Sequence, residues 1–197
     1  MNRKTNTSKL TFLGVMLALT IVFVAMTAIP TTSASMALLI FLPTIVTSII
    51  QGPKSGAVMG ALAGFVTLLR ALLAPASPLD YLFLNPLVAV LPRIFVGVVP
   101  YYIFKLLNKL IKVKTISLLI SGVLGALTNT LLVILMLYVV YNDEIIKIST
   151  QFGIGNTFAS FAIFLISTSA LIESSVAGIS TAAVVNVYDK VKNRRNI

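Results

Sequence analysis

The sequence predicts an all-α integral membrane protein, a six-transmembrane-helix bundle forming a single membrane domain over residues 1–197. Three observations carry that expectation. Of the 197 residues, 58% are apolar and only 10% are charged, whereas soluble domains run near 45–50% and about 25%. A chain of this size must still cover its surface, so that much apolar side chain cannot all be buried from water. The same excess rules out intrinsic disorder. The apolar residues also fall into six runs, and six spans of about 20 residues use about 120. No alternating segments of about ten residues recur, which argues against a β-barrel.

The first run, Leu10 to Ile29, follows the basic start Met1 to Lys9. A basic start before an apolar run can mark a secretory signal, and Thr32-Ser33-Ala34-Ser35 offers small residues for cleavage. A run of about 20 exceeds the 7–15 apolar residues of a signal, and five more runs follow, so it is read as helix 1 (10–29). Helix 2 (36–50) is short and closes on the turn pair Gly52-Pro53. Helix 3 (56–73) ends in a loop holding Pro75 and Pro78. Asn85-Pro86 then supplies an N-cap and first helical position for helix 4 (86–107), with Pro92 as an internal kink. A basic connector from Lys105 to Lys114 leads to helix 5 (116–141). Asn142 to Asn156 reads as a polar connector. Helix 6 (157–187) is longer than a span, so its inner end should project from the membrane.

The formal charge of +10 sorts by side. Twelve of the 15 basic residues lie on one face: Arg3, Lys4, Lys9, Lys54, Lys105, Lys109, Lys112, Lys114, Lys190, Lys192, Arg194 and Arg195. The other face holds Lys147 with the acids Asp80, Asp143 and Glu144. Lys and Arg concentrate in cytoplasmic loops, so both termini are expected in the cytoplasm of a multi-pass plasma-membrane protein. The charge is then a topology signal that calls for no nucleic acid; the lipid bilayer, with its anionic inner leaflet, is partner enough.

Several chemistries are missing. The chain has no Cys and no His, which removes disulfides, thiolates and the commonest general base and metal ligand. It has no phosphate-binding GxxxxGK[ST] loop, and a lone Glu173 makes no acid/base pair. No enzyme activity, cofactor or metal is expected. Uphill transport would draw on an ion gradient or a partner, and no inverted repeat of the secondary-carrier kind is evident.

Charges inside a membrane helix are costly and usually functional. Three occur here: Arg70, Arg93 and Glu173. Arg93 lies seven residues into helix 4, roughly 10 Å from its outer end. Arg70 and Asn129 lie 14 and 13 residues up helices 3 and 5, roughly 20 Å from the inner ends. All three fall in the outer third of a core about 30 Å thick, suggesting a small hydrophilic pocket open to the outside. Asn85 and the amino end of helix 4 face the same compartment, where helix dipole and free N–H groups favour an anion. Tyr81, in the same outer loop, joins this substrate-binding set. An Arg can hold a carboxylate with two parallel hydrogen bonds, and Pro92 should free the Val88 carbonyl for a ligand hydroxyl. The pattern suits a small solute with a carboxylate and hydroxyl or amide groups. The plainer alternatives are that Arg70 snorkels to the interface and that Asn129 bonds a neighbouring helix. Glu173, 16 residues into helix 6 and roughly 24 Å deep, is expected below the pocket as a structural acid bonded to nearby Ser or Thr.

Small residues recur every fourth position at Gly56, Gly60 and Gly64 and at Gly122, Ala126 and Thr130, a spacing that lets helix backbones approach closely. Gly14 and Ala18 repeat the pattern on helix 1, facing either another helix or another protein.

These residues together resemble the substrate-binding S components of energy-coupling factor (ECF) vitamin transporters. The likeness rests on Gly14 and Ala18, on Gly52-Pro53-Lys54-Ser55-Gly56-Ala57, on Asn85-Pro86-Leu87-Val88 with Leu91-Pro92-Arg93-Ile94-Phe95-Val96-Gly97, and on Thr128-Asn129-Thr130. It covers nearly the whole chain, and the segment around Arg93 with Asn129 is most similar to the pantothenate-type branch. The resemblance implies a vitamin bound at the outer face and delivered by toppling on a transmembrane coupling subunit driven by two ATPases. Gly14 and Ala18 would then be the coupling-subunit contact. Pantothenate, with one carboxylate, an amide and two hydroxyls, fits Arg93, Asn129 and Asn85. Hydroxymethylpyrimidine, folate and riboflavin are alternative ligands, and a stand-alone secondary carrier or channel is the competing class.

Overall fold

The computed structural model describes residues 3–29, 39–77 and 79–195, and among them it is all-helical. Helix α1 (Arg3–Met26) starts earlier than its apolar run and closes through backbone bonds from Thr27, Ala28 and Ile29 to the preceding turn. The cleavage-like stretch at 32–35 and the predicted start of helix 2 at 36–38 lie outside the described residues. Helix α2 (Leu42–Gln51) is followed at once by α3 (Pro53–Leu73). Gly52 makes that reversal possible: at φ 93° its N–H bonds back to Ser48, in a region that side chains disfavour. Pro53 then opens α3, where its missing N–H costs nothing.

After a short 3-10 turn (Asp80–Leu84), the predicted helix 4 is three pieces: α4 (Pro86–Ala89), α5 (Leu91–Val96) and α6 (Val99–Ile111). One kink at Pro92 was expected. There are two breaks, at Val90 and at Gly97–Val98, and Pro92 and Pro100 each lie in the first turn of the segment that follows. A proline ring clashes with the carbonyl four residues back, so each starts a new segment rather than bending an old one.

Helix α7 (Lys114–Gln151) runs ten residues past the predicted end, with a kink at Tyr141 (φ −130°, ψ 25°). The polar residues after Tyr141 mark where the chain leaves the apolar layer, not where the helix ends. Glu, Ile and Lys are competent helix formers, and the helix yields only at Gly153 and Gly155, both with positive φ. The sixth span is α8 (Phe158–Leu165), a π turn (Ile166–Ala170) and α9 (Leu171–Arg195).

Among the described residues, five helical stretches are long and apolar enough to cross a membrane: Thr7–Met26, Pro53–Leu73, Pro86–Ile111, Lys114–Gln151 and Phe158–Arg194. The ten residues of α2 rise about 15 Å, half the apolar core. The last helix packs along α7 more extensively than along any other element, and α3 packs on α5 and α2. The α3–α5 contact is backbone against backbone. A methyl group at Gly60 would overlap the Arg93 carbonyl, one at Gly56 the Gly97 carbonyl, and one at Gly64 would lie 2.6 Å from Val90 Cα. At Gly122 it would lie 2.7 Å from the Ala177 carbonyl oxygen. Those predicted small-residue ladders are internal packing.

Candidate ligand-binding site

A cavity of about 280 Å³ lies among the helices, lined from every predicted span. Val24 and Thr27 come from the end of α1, Phe41 from the start of α2, Thr67 and Arg70 from the end of α3, and Arg93 from α5. Helix α7 contributes Asn129 to Leu137, and the sixth span contributes Phe161, Leu165, Ser169 and Glu173. The ends of α1 and α3 that line it are those remote from the chain termini. Leu82, Phe83 and the other apolar residues form most of the wall, so the few polar groups that reach it define its chemistry.

Arg93 is buried, at 6% exposure. Its position is set by the break at Val90 and by Gly60, which lets the α3 backbone close on the Arg93 carbonyl. Its Nη1 donates to the Val88 carbonyl oxygen at 3.0 Å, and its guanidinium lies 5.4 Å from the centre of the Phe83 ring. The Val88 carbonyl is therefore occupied by Arg93 rather than left for a ligand. Nε has no partner, and a guanidinium carries five N–H donors in a fork. Beyond the bond to Val88, the guanidinium therefore keeps N–H donors with no protein partner among the described residues.

Arg70 also lines the cavity but is engaged. Its Nη1 and Nη2 donate to the two carboxylate oxygens of Asp80 at 2.8 and 2.7 Å. Asp80 accepts further bonds from the backbone N–H groups of Ala76 and Ser77, at 2.7 and 2.9 Å. Burial pushes its carboxyl up, but the Arg70 bonds and the two amides together hold it below the ordinary range. The pair ties the loop after α3 to that helix. Sequence reading missed it, because Asp80 becomes a neighbour of Arg70 only once the chain beyond α3 has folded back.

Asn129 is 6% exposed and lines the cavity, with no hydrogen-bond partner for its buried Oδ1. Glu173 lines it too, contrary to the expectation that it lies too deep. The prolongation of α7 carries the chain about 15 Å further before it turns back, so counting from Thr157 overstated the depth. Nor is Glu173 bonded to a nearby Ser or Thr: among the described residues its carboxyl has no hydrogen bond or ion pair with protein. Asn85 and Tyr81 are not in the lining. Asn85 Oδ1 accepts from the Leu87 N–H at 2.9 Å, the cap its sequence predicts. Tyr81 turns outward, 42% exposed, with its ring edge-on to Tyr141 at 6.3 Å. Gly14 and Ala18 are exposed on α1, and a methyl group on Gly14 would meet nothing within 4 Å, so this pair does not pack internally.

A bundle of membrane-spanning helices around a largely apolar cavity, with a buried arginine in its lining, is the architecture of an integral membrane protein with room for a small solute. Residues 8–185 match the family described as "ECF transporter, substrate-specific component", and the chain belongs to that family. It is 27% identical over 169 residues to the "Pantothenic acid transporter PanT" of Lactococcus lactis subsp. cremoris, covering 79% of each chain. It is 31% identical over 156 residues to the "Pantothenate transporter PanT" of Leuconostoc mesenteroides subsp. mesenteroides, covering 77% of this chain and 74% of that one. It is an integral membrane protein of a transporter family.

Proposed function

We propose that this chain binds pantothenate from the outside and passes it inward as the substrate-binding subunit of an ECF importer. The observation that carries the ligand is Arg93, buried against the cavity with donors to spare. The ligand carboxylate lies on that guanidinium, where charge-assisted, paired hydrogen bonds are strongest. Asn129, which lines the same cavity, receives the amide or a hydroxyl. Arg70, Tyr81 and Asn85 stand at the rim, Arg70 through its hold on the loop that carries the other two. The names of the two pantothenate transporters support the same ligand. A neutral ligand such as hydroxymethylpyrimidine would leave Arg93 without an anion.

The charge asymmetry supports cytoplasmic termini. With that orientation the cavity faces outward. The chain carries no catalytic motif of its own, so energy for uptake comes from two ATPases through a coupling subunit, on which the bundle topples. Gly14 and Ala18, exposed and small, are its contact with that subunit.

Calorimetry on the detergent-solubilised protein tests the ligand: pantothenate binds at micromolar concentration or tighter, and no binding there refutes the reading. The delivery step has its own test. Ala18→Trp should leave pantothenate binding unchanged and stop uptake in cells that carry the coupling module. Normal uptake by that variant would remove α1 from the interface.

A further inference from the structure

Glu173 is a charged group that the proposed function does not use. It shares the cavity with Arg93. They nevertheless form no ion pair within 4.0 Å, and the Glu173 carboxyl has no other protein partner among the described residues. Two groups of opposite charge type, each incompletely satisfied, thus face one small apolar-walled space. Leaving them so is costly unless something bridges them.

The helix carrying Glu173 is shaped to put it there. Phe161, Leu165, Ser169 and Glu173, spaced four apart, all line the cavity. In a regular α-helix, twelve residues at 3.6 per turn leave a net rotation of about 120°, enough to turn the last of them away. The π turn Ile166–Ala170 lies between Leu165 and Leu171. Its i→i+5 bonds pack an extra residue into the turn and so rotate Ser169 and Glu173 back toward the cavity. Such turns occur frequently at functional sites.

We infer that Glu173 is a specificity-determining residue of this cavity: its carboxyl accepts a hydrogen bond from a ligand hydroxyl at the end remote from the carboxylate held by Arg93. Carboxyl oxygens accept in either protonation state, so the role does not depend on pH. This assignment rests on the carboxylate-ligand reading above and adds the other end of the molecule to it. Pantothenate has that polarity, with its hydroxyls and its carboxylate at opposite ends of the chain. A site that hydrogen-bonds a hydroxyl rejects the analogue lacking it, because its own polar group is then left unpaired.

The test is calorimetric binding of pantothenate and of its two mono-deoxy analogues to wild type, Glu173→Ala and Glu173→Gln, each confirmed as monodisperse by gel filtration. Wild type should prefer pantothenate over at least one deoxy analogue by tenfold or more. Glu173→Ala should weaken pantothenate at least tenfold and bring that ratio close to one. Glu173→Gln, which keeps the shape and one acceptor oxygen, should fall between. An undiminished ratio in Glu173→Ala, or equal weakening of all three ligands, would overturn the assignment. Tighter pantothenate binding in that variant would also overturn it, because the acid would then be only a counter-charge competing for Arg93. Wild type that binds pantothenate without discriminating sinks this inference alone. Wild type that fails to bind pantothenate sinks the proposed function and this assignment with it.

Discussion

The rim and the interior of the cavity each hold one arginine, and the protein treats the two in opposite ways. At the rim, Arg70 is closed by both oxygens of Asp80, and the loop that supplies Asp80 adds two backbone donors to the same carboxylate. In the interior, Arg93 has one backbone carbonyl and an aromatic face, and among the described residues no carboxylate pairs with it. Both side chains sit inside apolar runs of the sequence, and both line the same cavity. The difference teaches that an intramembrane charge is informative only together with its partners. The arginine paired with a carboxylate builds the wall, and the one without an acid partner is available to a solute.

The largest expected effect comes from deleting the unsatisfied arginine. Arg93→Ala should leave the bundle folded, because only one side-chain hydrogen bond to protein is lost. Binding should fall by roughly a hundredfold or beyond detection, since a charge-assisted pair contributes about 1.5–3 kcal/mol and a buried carboxylate would be stranded. Gel filtration and calorimetry on the variant read both quantities. Near wild-type affinity would show that the two arginines do not differ in role.

A smaller effect should come from the backbone that places Arg93. Gly60 lies against the Arg93 carbonyl, and a methyl group there meets backbone atoms, which cannot swing aside as a side-chain tip can. Gly60→Ala should cost about 1–3 kcal/mol of stability, the usual range for overpacking. It should also weaken binding by moving α5. Gly14→Ala is the matched control, since the same methyl group there meets nothing. Equal melting temperatures for the two variants would show that the α3–α5 contact yields to a methyl group.

How much of this contrast the sequence could reveal depended on whether the relevant geometry is helical. Arg93 and Asn129 were legible as a pair because polar groups are rare in apolar runs and a rise of 1.5 Å per residue converts position into depth. The same count failed for Glu173. Depth was measured from an assumed membrane face at Thr157, while α7 carries the chain well beyond Tyr141 before it turns back. It also treated every helix as regular, and the π turn that aims Glu173 has no sequence signal in this chain. The Arg70–Asp80 pair was hidden for a different reason. Ten residues separate the partners, and only the irregular turn between them brings them together. Asn85 shows the converse: the Asn-Pro pair predicts the cap that the structure shows, while the same residue, expected also to serve a ligand, is outside the cavity lining.

The rim pair yields the smallest effect and a sign that can be checked. Asp80 is held below its ordinary value of 3.8 in the folded protein. A lowered folded value means stabilisation that is fully present above the unfolded value and is lost as pH falls through the folded one. Asp80→Asn keeps an acceptor for the Ala76 and Ser77 amides but removes the charge opposite Arg70. It should therefore cost about 1 kcal/mol near neutral pH. The gap between wild type and variant should stay constant down to about pH 5 and close progressively below it, as the carboxyl takes up its proton first in the unfolded and then in the folded protein. Thermal melts of both proteins across that range would show the closure. A gap that instead closed between pH 7 and 5 would show that the Arg70–Asp80 pair does not set this stability.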